Sequence, residues 1–304
     1  MKILVIGGAG FIGSNLVDRL IDDGHEVIII DNLSTGKKEN INPKAIWNDI
    51  DIRISTAPSY LENIMKGVDV VFHLAAKARV QPSIEDPISF NNTNVTGLLN
   101  VLHSCKEAGV KRFIYSSSSS VYGNVTSGML PTVEDCSLSP LSPYALQKLI
   151  GEQYCKLYSK LHGLETVCLR YFNVYGERQL LEGAYCLVMG KFAQQRLSGE
   201  PMTIRGDGEQ RRDFTYVGDV VKANILAGMS EEKFDGEVFN IGNGDSRSVN
   251  QIADMIGGDR INVDAVKEPK ETLANNGLAE YLLGWLPTTT IEDWIKTYKE
   301  KLKL

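Results

Sequence analysis

Tyr144 and Lys148, one helical turn apart, are the residues of this 304-residue chain best suited to taking a proton from an alcohol. Residues four apart lie on the same face of a helix. A free tyrosine has a pKa near ~10 and is a poor base at neutral pH, but a neighbouring ammonium favours the phenolate. Lowering that pKa by about three pH units requires roughly 4 kcal/mol. The spacing alone fits equally well a helix face with one aromatic residue and one solvated lysine, so the context must support the chemistry.

Five consecutive serines, Ser116 to Ser120, precede this pair and directly follow an apolar segment. The carboxyl end of a strand is where an open α/β sheet binds its ligands. One of these hydroxyls could relay a proton between a substrate and Tyr144, while most of them could equally cap a polar turn. We expect one or two of the five to take part in catalysis.

A glycine-rich loop near the N-terminus, Gly7-Gly-Ala-Gly10-Phe-Ile-Gly13, lies between a predicted strand and a predicted helix. Glycines at this spacing permit a tight turn and a close approach of the backbone to a pyrophosphate, which the helix N-terminus attracts. The loop therefore predicts a bound dinucleotide rather than a turn without a ligand. Together with Tyr144 and Lys148, it describes an enzyme that removes a proton and a hydride from one sugar or alcohol carbon.

Asp31, at the end of the second predicted strand, indicates the type of dinucleotide. A carboxylate at this position can accept hydrogen bonds from both hydroxyls of the adenosine ribose and would repel a 2′-phosphate, so NAD is favoured over NADP. Two alternatives stay open. Asp31 could also cap the turn 31–36, and Lys37 and Lys38 could bind a 2′-phosphate.

The elements that must position these residues alternate along the first half of the chain. Short runs rich in Val and Ile predict strands buried on both faces, with helical patterns between them. The predicted strands are 3–6, 27–30, 68–74, 112–116 and 165–170, and the predicted helices are 11–23, 60–66, 88–108, 143–161, 187–197, 217–229, 249–256 and 291–301. Left-handed glycines are expected to close the first four helices, at Gly24, Gly67, Gly109 and Gly163.

This order predicts an α/β fold, with a Rossmann-type doubly wound parallel sheet and a smaller C-terminal α/β substrate lobe. We assign residues 1–174 to a NAD-binding domain, with a return of the chain around 214–242. Residues 175–304 are assigned mainly to the substrate lobe.

Charge and composition narrow the class of protein further. The formal net charge of −6 argues against attraction to nucleic acid or to an anionic membrane. The cysteines, which are Cys105, Cys136, Cys155, Cys168 and Cys186, have no metal-ligand or disulfide spacing and suit a reducing cytoplasm. No apolar run reaches the ~18 residues of a membrane span. We expect no signal peptide and no metal site, with His73 supporting the sheet edge.

Nine motifs, in order along almost the whole chain, resemble those of one protein family. They are Gly7–Gly13, Asp31–Gly36, His73–Ala76, Asn94–Gly97, Ser116–Gly123, Tyr144–Lys148, Leu169–Gly176, Gly206–Phe214 and Leu283–Trp285. The chain resembles the extended short-chain dehydrogenases/reductases, specifically the NAD-dependent nucleotide-sugar epimerase/dehydratase family. Within that family it is most similar to the UDP-glucose and UDP-N-acetylglucosamine 4-epimerases.

The resemblance implies a NAD site. The pair Asp51-Ile52 would hold the adenine, with Asp49-Ile50 as the alternative, and Tyr171 and Phe172 would border the nicotinamide. The implied cofactor-binding residues are Gly7, Gly10, Phe11, Ile12, Gly13, Asp31, Asn32, Ser34, Thr35, Gly36, Asp51, Ile52, Leu74, Ala75, Ala76, Asn94, Ser116, Tyr144, Lys148, Tyr171 and Phe172.

The resemblance also implies catalytic and substrate-binding residues. Ser118 would bind the sugar hydroxyl, with Ser119 as the alternative, beside Tyr144 and Lys148. The implied substrate-binding residues are Ser118, Ser119, Asn173, Val188, Arg205, Arg212 and Thr272.

The basic residues of this site depart from those of relatives or carry open alternatives. Arg212 would pair with the diphosphate, although a salt bridge with Asp213 or Asp219 is the other possibility. Arg205 stands where relatives place an aromatic residue that stacks on uracil. Relatives also carry an arginine upstream of the position of Glu268, which Lys267 or Lys270 could replace here.

The reaction is indicated by the residues after Ser118. Relatives that eliminate water or decarboxylate carry acidic residues there, because those reactions need a further acid or base. This chain has Ser119 and Ser120. What remains is 4-epimerisation of a UDP-hexose through a transient 4-keto sugar, with NAD tightly bound.

The sugar is indicated by Thr272, which stands where relatives restricted to plain hexoses often place a tyrosine. We expect UDP-Glc/UDP-Gal and also UDP-GlcNAc/UDP-GalNAc to be substrates. The alternatives are a UDP-glucuronate 4-epimerase and a net NAD-dependent sugar oxidoreductase. The resemblance further implies a homodimer formed by helices 88–108 and 143–161, and neither nucleic acid nor a membrane as partner.

Overall fold

The structure is a computed structural model and describes residues 1–180, 187–265 and 268–303. Cys186 and Lys267, both considered above, lie outside these ranges. The strands are β1 (Lys2–Ile6), β2 (Glu26–Ile30), β3 (Ile46–Asn48), β4 (Val70–His73), β5 (Arg112–Ser118), β6 (Glu165–Tyr171), β7 (Val174–Tyr175), β8 (Met202–Arg205), β9 (Arg211–Asp213), β10 (Thr215–Tyr216), β11 (Asp235–Ile241), β12 (Ser246–Ser248) and β13 (Arg260–Val263). The α-helices are α1 (Phe11–Asp22), α2 (Ala57–Met65), α3 (Val80–Glu85), α4 (Pro87–Asn91), α5 (Leu98–Ala108), α6 (Pro143–His162), α7 (Val188–Leu197), α8 (Val217–Met229), α9 (Val249–Ile256), α10 (Gly277–Leu283) and α11 (Ile291–Leu302).

The chain forms two compact units. The first comprises Met1–Val121, Pro140–Arg170 and Val221–Phe239, and the second comprises Tyr122–Ser139, Tyr171–Val220 and Asn240–Leu304. The boundaries expected from the sequence placed residues 122–139 in the first domain and the return of the chain at 214–242. Residues 122–139 group with the second unit because Thr132 donates its N–H to Leu273 O and accepts a hydrogen bond from Asn275 N, both far along the chain.

The first unit is built on a seven-stranded sheet in the order β11-β6-β5-β4-β1-β2-β3. Strands β1, β2, β3, β4 and β5 pair in parallel. The direction of strand succession reverses between β1 and β4, and ligands of such sheets bind at the carboxyl ends of the strands beside this point. The glycines and Ala75 lie in the loops that follow β1 and β4, and the serines lie at the carboxyl end of β5 and just after it, so the fold places all three groups at this edge.

Apolar side chains on both faces explain why these segments form buried strands. Ile28 and Val71 face one side, where α2, α5 and α6 complete a core with residues such as Leu61, Val101 and Cys155. Helix α8 passes over Phe72 on the other side, where a Cβ on Gly228 would lie 2.5 Å from the ring. The sheet is therefore covered on both faces, as the doubly wound prediction requires.

The predicted elements differ from the observed ones in a few places. All five predicted strands and all eight predicted helices correspond to observed elements, and the four predicted glycines have positive φ. The predicted helix 88–108 is interrupted by a π-helical turn, Asn92–Gly97, between α4 and α5. Strand β3, all strands from β7 to β13 and the short helices α3 and α10 were not predicted.

The second unit contains small strand pairs, β7 with β10, β8 with β13 and β9 with β12. Its separate core includes Phe192, Ile204 and Trp294. Asp219 fixes the end of the chain to this unit by accepting hydrogen bonds from Thr288 Oγ1 at 2.7 Å and Thr289 N at 3.1 Å. Among the described residues, no helix is long and apolar enough to span a membrane.

His73, at the end of β4, predicts a pH dependence of stability. It is buried between the rings of Phe113 and Tyr115, and its burial lowers its pKa to about 3, with a smaller contribution from the charge of Lys148. An unfolded histidine has a pKa near ~6.5, so between these values the unfolded chain binds the proton and the folded chain does not. The contribution of His73 to the free energy of unfolding is therefore fully present above about pH 6.5. It is lost as the pH falls, by up to ~1.4 kcal/mol per pH unit.

Urea unfolding between pH 7 and pH 4 checks this expectation. His73→Phe should make the pH dependence shallower, because a phenylalanine binds no proton. His103→Gln removes a histidine whose side chain is 53% exposed and should leave the dependence unchanged. Equal slopes for wild type and His73→Phe would refute the assignment.

Candidate active site

Helix α6 positions Tyr144 and Lys148 in its first two turns. Ser142 caps the helix by accepting a hydrogen bond from Ala145 N, and Pro143 occupies the first position, where its missing N–H costs nothing. Tyr144 N donates to Ser83 Oγ at 3.1 Å, and Ser83 Oγ donates to Val80 O at 2.6 Å. The backbone of Tyr144 is thus fixed to α3 as well as to its own helix.

The serines at the end of β5 have different partners. Ser116 Oγ donates to His73 O at 2.9 Å, and Ser117 Oγ donates to Glu152 Oε1. The side chain of Ser118 forms a hydrogen bond with Tyr144. Of the two serines considered for the sugar hydroxyl, Ser118 is therefore the one that the structure places at the phenol, while Ser119 begins a 3₁₀ turn.

The electrostatics of Tyr144 differ from the sequence-based expectation. Burial raises its pKa, while the hydrogen bond with Ser118 and the positive charge of Arg79 lower it. Lys148, which was expected to lower it, directs its Nζ to Ser116 O at 2.7 Å and lies 6.0 Å from the centroid of the Tyr144 ring. Sequence reasoning missed Arg79, since a single arginine in the loop after β4 carries no motif.

Lys148 is itself buried, and this burial lowers its pKa to about 8. Nearby Cys155 and Glu152 act in the opposite direction and raise the pKa. The ammonium form thus prevails at neutral pH, so Lys148 can donate hydrogen bonds at this edge of the sheet. Its contact with the carbonyl of Ser116 connects α6 to β5 beside Ser118.

The glycine loop has the geometry that a pyrophosphate requires. A Cβ on Gly7, whose φ is +85°, would lie 2.6 Å from Ala75 N, and a Cβ on Gly13 would lie 2.1 Å from Gly7 O. Helix α1 begins at Phe11, with Gly10 as its N-cap, no capping side chain and no acidic residue in its first turn. Its N-terminal amide groups and partial positive charge suit the phosphates of a dinucleotide, so these residues fit NAD.

Asp31 takes the role of a turn cap, one of the two considered for it, and also holds the glycine loop. Its Oδ1 accepts from Leu33 N at 2.8 Å, as a turn cap would, and its Oδ2 accepts from Ala9 N at 3.0 Å in the glycine loop. Burial raises the pKa of its carboxyl, and these two backbone hydrogen bonds lower it. A Cβ on Gly36 would lie 2.9 Å from Asp31 Oδ1. The carboxylate is therefore held at the end of β2, where a ribose is expected.

The other predicted cofactor residues of the first unit are held mainly by protein contacts. Asp51 is hydrogen bonded to Arg53 and to Asn32, and Ile52 is buried. Asn94 Oδ1 accepts from Lys77 N, and its Nδ2 donates to Lys77 O and to Gln147 Oε1, all at 2.9 Å. Asn94 thus ties the loop after Ala76 to α6. The assignment of Asp51-Ile52, or of Asp49-Ile50, as the adenine pair stays a prediction.

The second unit brings together three of the predicted substrate residues. Asn173 Nδ2 donates to Asp213 O at 3.1 Å and to Thr272 Oγ1 at 3.4 Å. Arg212, next to Asp213, donates from Nη2 to Glu268 Oε2 at 2.6 Å. Its ion-pair partner is thus neither of the two aspartates considered for it.

The remaining predicted residues of this unit lie on other elements. Arg205 is exposed at the end of β8, and Val188 begins α7. Tyr171 and Phe172 are 8% and 1% exposed, and the N–H of Phe172 donates to Ile241 O at 3.0 Å. The roles of all these residues toward ligands stay predictions.

Comparisons with known proteins agree with this architecture. The family model of the NAD dependent epimerase/dehydratase family matches residues 3–242. A putative UDP-glucose 4-epimerase of Methanocaldococcus jannaschii is 45% identical over 255 residues, which are 84% of this chain and 81% of that protein.

Solved structures of similar enzymes cover nearly the whole chain. UDP-glucose 4-epimerase from Thermotoga maritima with UDP-glucose is 38% identical, with a TM-score of 0.92 over 99% of this chain and 100% of that one. UDP-N-acetylglucosamine 4-epimerase from Methanobrevibacter ruminantium, in complex with UDP-N-acetylmuramic acid, is 37% identical, with a TM-score of 0.90 over 99% of this chain and 98% of that one. Further matches include a UDP-N-acetylglucosaminuronate decarboxylase and a UDP-glucuronic acid 4-epimerase.

These findings confirm the Rossmann-type fold, the assignment as an enzyme and NAD as the cofactor. Three findings point to the same family. The family model matches most of the chain, the sequence is similar to those of epimerases, and the glycine loop has close backbone contacts at Gly7 and Gly13. The chain belongs to the NAD dependent epimerase/dehydratase family.

Proposed function

We propose that the protein interconverts the C4 epimers of UDP-hexoses, both UDP-Glc/UDP-Gal and UDP-GlcNAc/UDP-GalNAc. The observation that carries this proposal is the group formed by Ser118, Tyr144 and the buried Lys148, followed by Ser119 and Ser120 where dehydration or decarboxylation would need acidic residues. Relatives of both substrate types support it, since the similar structures include a UDP-glucose and a UDP-N-acetylglucosamine 4-epimerase.

In the proposed mechanism, Tyr144 takes the proton of the C4 hydroxyl and later returns it. Ser118 holds the hydroxyl and the phenol together through its hydrogen bond. Arg79 and Ser118 favour the phenolate against the effect of burial. NAD, held by the glycine loop and Asp31, would supply reversible hydride transfer at C4, and its positive charge would further favour the phenolate. Lys148 keeps the end of β5 in place through Ser116 O.

The chain's other predicted residues would bind NAD and the UDP group. The glycine loop and the start of α1 hold the pyrophosphate, and Asp31 holds the ribose. Arg212 would exchange its ion pair with Glu268 for the substrate diphosphate, which its planar guanidinium fits. Asn173 would contact the same diphosphate, while Arg205 would stack on the uracil.

The proposal is tested by incubating the purified protein, without added cofactor, with UDP-Glc, UDP-GlcNAc and UDP-glucuronate in separate reactions. Proton NMR reports the configuration at C4. Interconversion of UDP-Glc and of UDP-GlcNAc is expected. Conversion of UDP-glucuronate alone would favour that alternative substrate, and a stoichiometric requirement for NADH would favour a net oxidoreductase.

Replacing Thr272 with tyrosine is expected to abolish turnover of the N-acetylated pair while UDP-Glc and UDP-Gal are still converted. The larger ring would fill the space that an N-acetyl group at C2 needs. Rates with the four sugars, measured by NMR, check this selectivity.

The control for Thr272→Tyr must separate size from hydrogen bonding, because Thr272 Oγ1 accepts from Asp213 N at 3.3 Å as well as from Asn173. Thr272→Val loses the hydroxyl at nearly the same volume and should retain both pairs of substrates. An equal loss of both pairs in the tyrosine variant would sink the idea.

We further propose a homodimer formed through α4, α5 and α6, as the resemblance implies. Exposed apolar side chains on these helices support it, since Ile88 is 74% and Leu161 is 66% exposed. Ile88→Glu is expected to give the mass of a single 33.6 kDa chain in light scattering. Leu197→Glu, at the end of α7 where the side chain is 50% exposed, should stay dimeric. A monomeric wild type would exclude the dimer.

A further inference from the structure

A buried ion pair joins Glu152, one helical turn after Lys148 on α6, to Arg170 on β6. Arg170 Nε donates to Glu152 Oε1 at 2.8 Å, and Arg170 Nη2 donates to Glu152 Oε2 at 2.7 Å. The side chains are only 3% and 2% exposed. Glu152 also accepts a hydrogen bond from Ser117 Oγ. Glu152 lies one helical turn after Lys148 on α6, and Arg170 is on β6, so this group joins α6, β5 and β6.

Stability alone does not account for such a pair. Removing two charges from water is costly, and a buried ion pair often contributes no more to stability than apolar residues of the same volume. A fully satisfied buried polar group does, however, fix its neighbours in one arrangement. The role of the ion pair is therefore to be sought in the residues that Glu152 holds in place.

Ser117, which Glu152 holds, lies between two residues that make the contacts used in the proposed proton transfer. Ser117 lies between Ser116, whose carbonyl accepts from Lys148, and Ser118, whose side chain is bonded to Tyr144. Successive residues of a strand point to opposite faces, so a hold on Ser117 from one face sets the register of both neighbours. The carboxylate of Glu152 also raises the pKa of Lys148 against the effect of burial.

We propose that Glu152, held by Arg170, is a positioning residue that keeps the end of β5 in register with Tyr144 and Lys148 through Ser117. This inference rests on the proposed proton transfer at Tyr144. It assigns to Glu152 no contact with substrate or cofactor, and its effect passes through Ser116 and Ser118.

The sequence offers a matched control on the same two strands. Arg112 begins β5 and Glu165 begins β6, and Arg112 Nη2 pairs with Glu165 Oε2. This pair joins the two strands at the ends opposite to Ser117 and Arg170. Glu165→Gln thus disturbs a β5–β6 ion pair without touching the catalytic edge.

The experiment compares Ser117→Ala, Glu152→Gln and Glu165→Gln by kcat, KM and the pH profile of kcat with the best UDP-sugar. Ser117→Ala and Glu152→Gln should lower kcat by up to about 100-fold with KM nearly unchanged, as expected for a misplaced catalytic group. In Glu152→Gln the alkaline limb of the profile should also move to lower pH, because Lys148 loses a nearby carboxylate. Glu165→Gln should keep the wild-type kcat and pH profile.

Unchanged kcat in Ser117→Ala overturns the proposal, whether or not Glu152→Gln folds. An equal loss of kcat in Glu165→Gln also overturns it, since the effect would then be a general loosening of the strands. If the wild type converts no sugar, the proposed function fails separately. The spectroscopic titration of the Tyr144 phenol, taken as wild type minus Tyr144→Phe, then replaces kcat, and a midpoint unaltered by Ser117→Ala refutes the positioning role.

Discussion

Replacing Tyr144 with phenylalanine is expected to lower the rate of C4 interconversion by between about 10² and 10⁴-fold, the contribution of a positioned acid–base group. The phenylalanine keeps the half-buried ring but has no oxygen to take the proton from the sugar or to interact with Ser118. The rate is measured by proton NMR with UDP-Glc and UDP-GlcNAc.

Retention of the fold and of NAD must be shown for the variant. Its thermal unfolding midpoint and its bound NAD, quantified after release, should match the wild type. Tyr281→Phe, at a position that is 84% exposed, controls for the loss of a phenol elsewhere and should be fully active. A Tyr144→Phe protein that keeps the wild-type rate would show that another group is the base.

Replacing Gly13 with alanine is expected to abolish retention of NAD, and with it all turnover without added cofactor. The new Cβ would lie 2.1 Å from Gly7 O and 3.0 Å from Gly8 Cα, and both are backbone atoms that cannot rotate away. Forcing a methyl group into such a site typically costs about 1–3 kcal/mol and displaces the backbone. The displaced atoms here are those that would cradle the pyrophosphate.

Bound NAD per chain and the thermal midpoint measure this effect. Gly128→Ala is the control, because a Cβ on Gly128 meets no atom within 4 Å and its φ is not positive. That variant should retain its NAD. Gly13→Ala with a full complement of NAD would contradict the close contact between α1 and the loop.

The fold was predictable wherever local patterns decide it. Runs such as Ile3–Ile6 are buried on both faces, so their composition alone indicates a central strand. Strand β3 has only three residues, one exposed and two half-buried, and gives no such signal. The sequence placed residues 122–139 in the first domain, and their grouping with the second unit could not be predicted because it depends on hydrogen bonds to residues near 273–275, far along the chain.

The candidate site, like the fold, was predictable where local patterns decide it and not where distant residues do. Motif spacing singled out Tyr144, Lys148 and the serine run. The spacing of the glycines likewise predicted the close backbone contacts of the loop 7–13. The choice of partner could not be predicted, as Arg212 shows by pairing with Glu268, 56 residues away. The direction of the Lys148 ammonium toward Ser116 O likewise depends on how α6 crosses β5, which no local pattern specifies.

The π-helical turn Asn92–Gly97 changes the rotational register of the side chains within the continuous helical segment formed by α4, this turn and α5. A π-helical turn holds about one residue more than an α-helical turn, and each residue rotates a helix by about 100°. The apolar stripe is therefore rotated between the two sides of the turn: Ile88 before it is 74% exposed, while Leu98, Val101 and Leu102 after it are fully buried. One segment can thus present an apolar side chain outward at its start and line the core at its end, with Asn94 at the point of rotation. Deleting one residue here would rotate the two parts of the segment relative to each other by about 100°, so that Phe90, which is 2% exposed before the turn, and the buried residues of α5 could no longer face the core together.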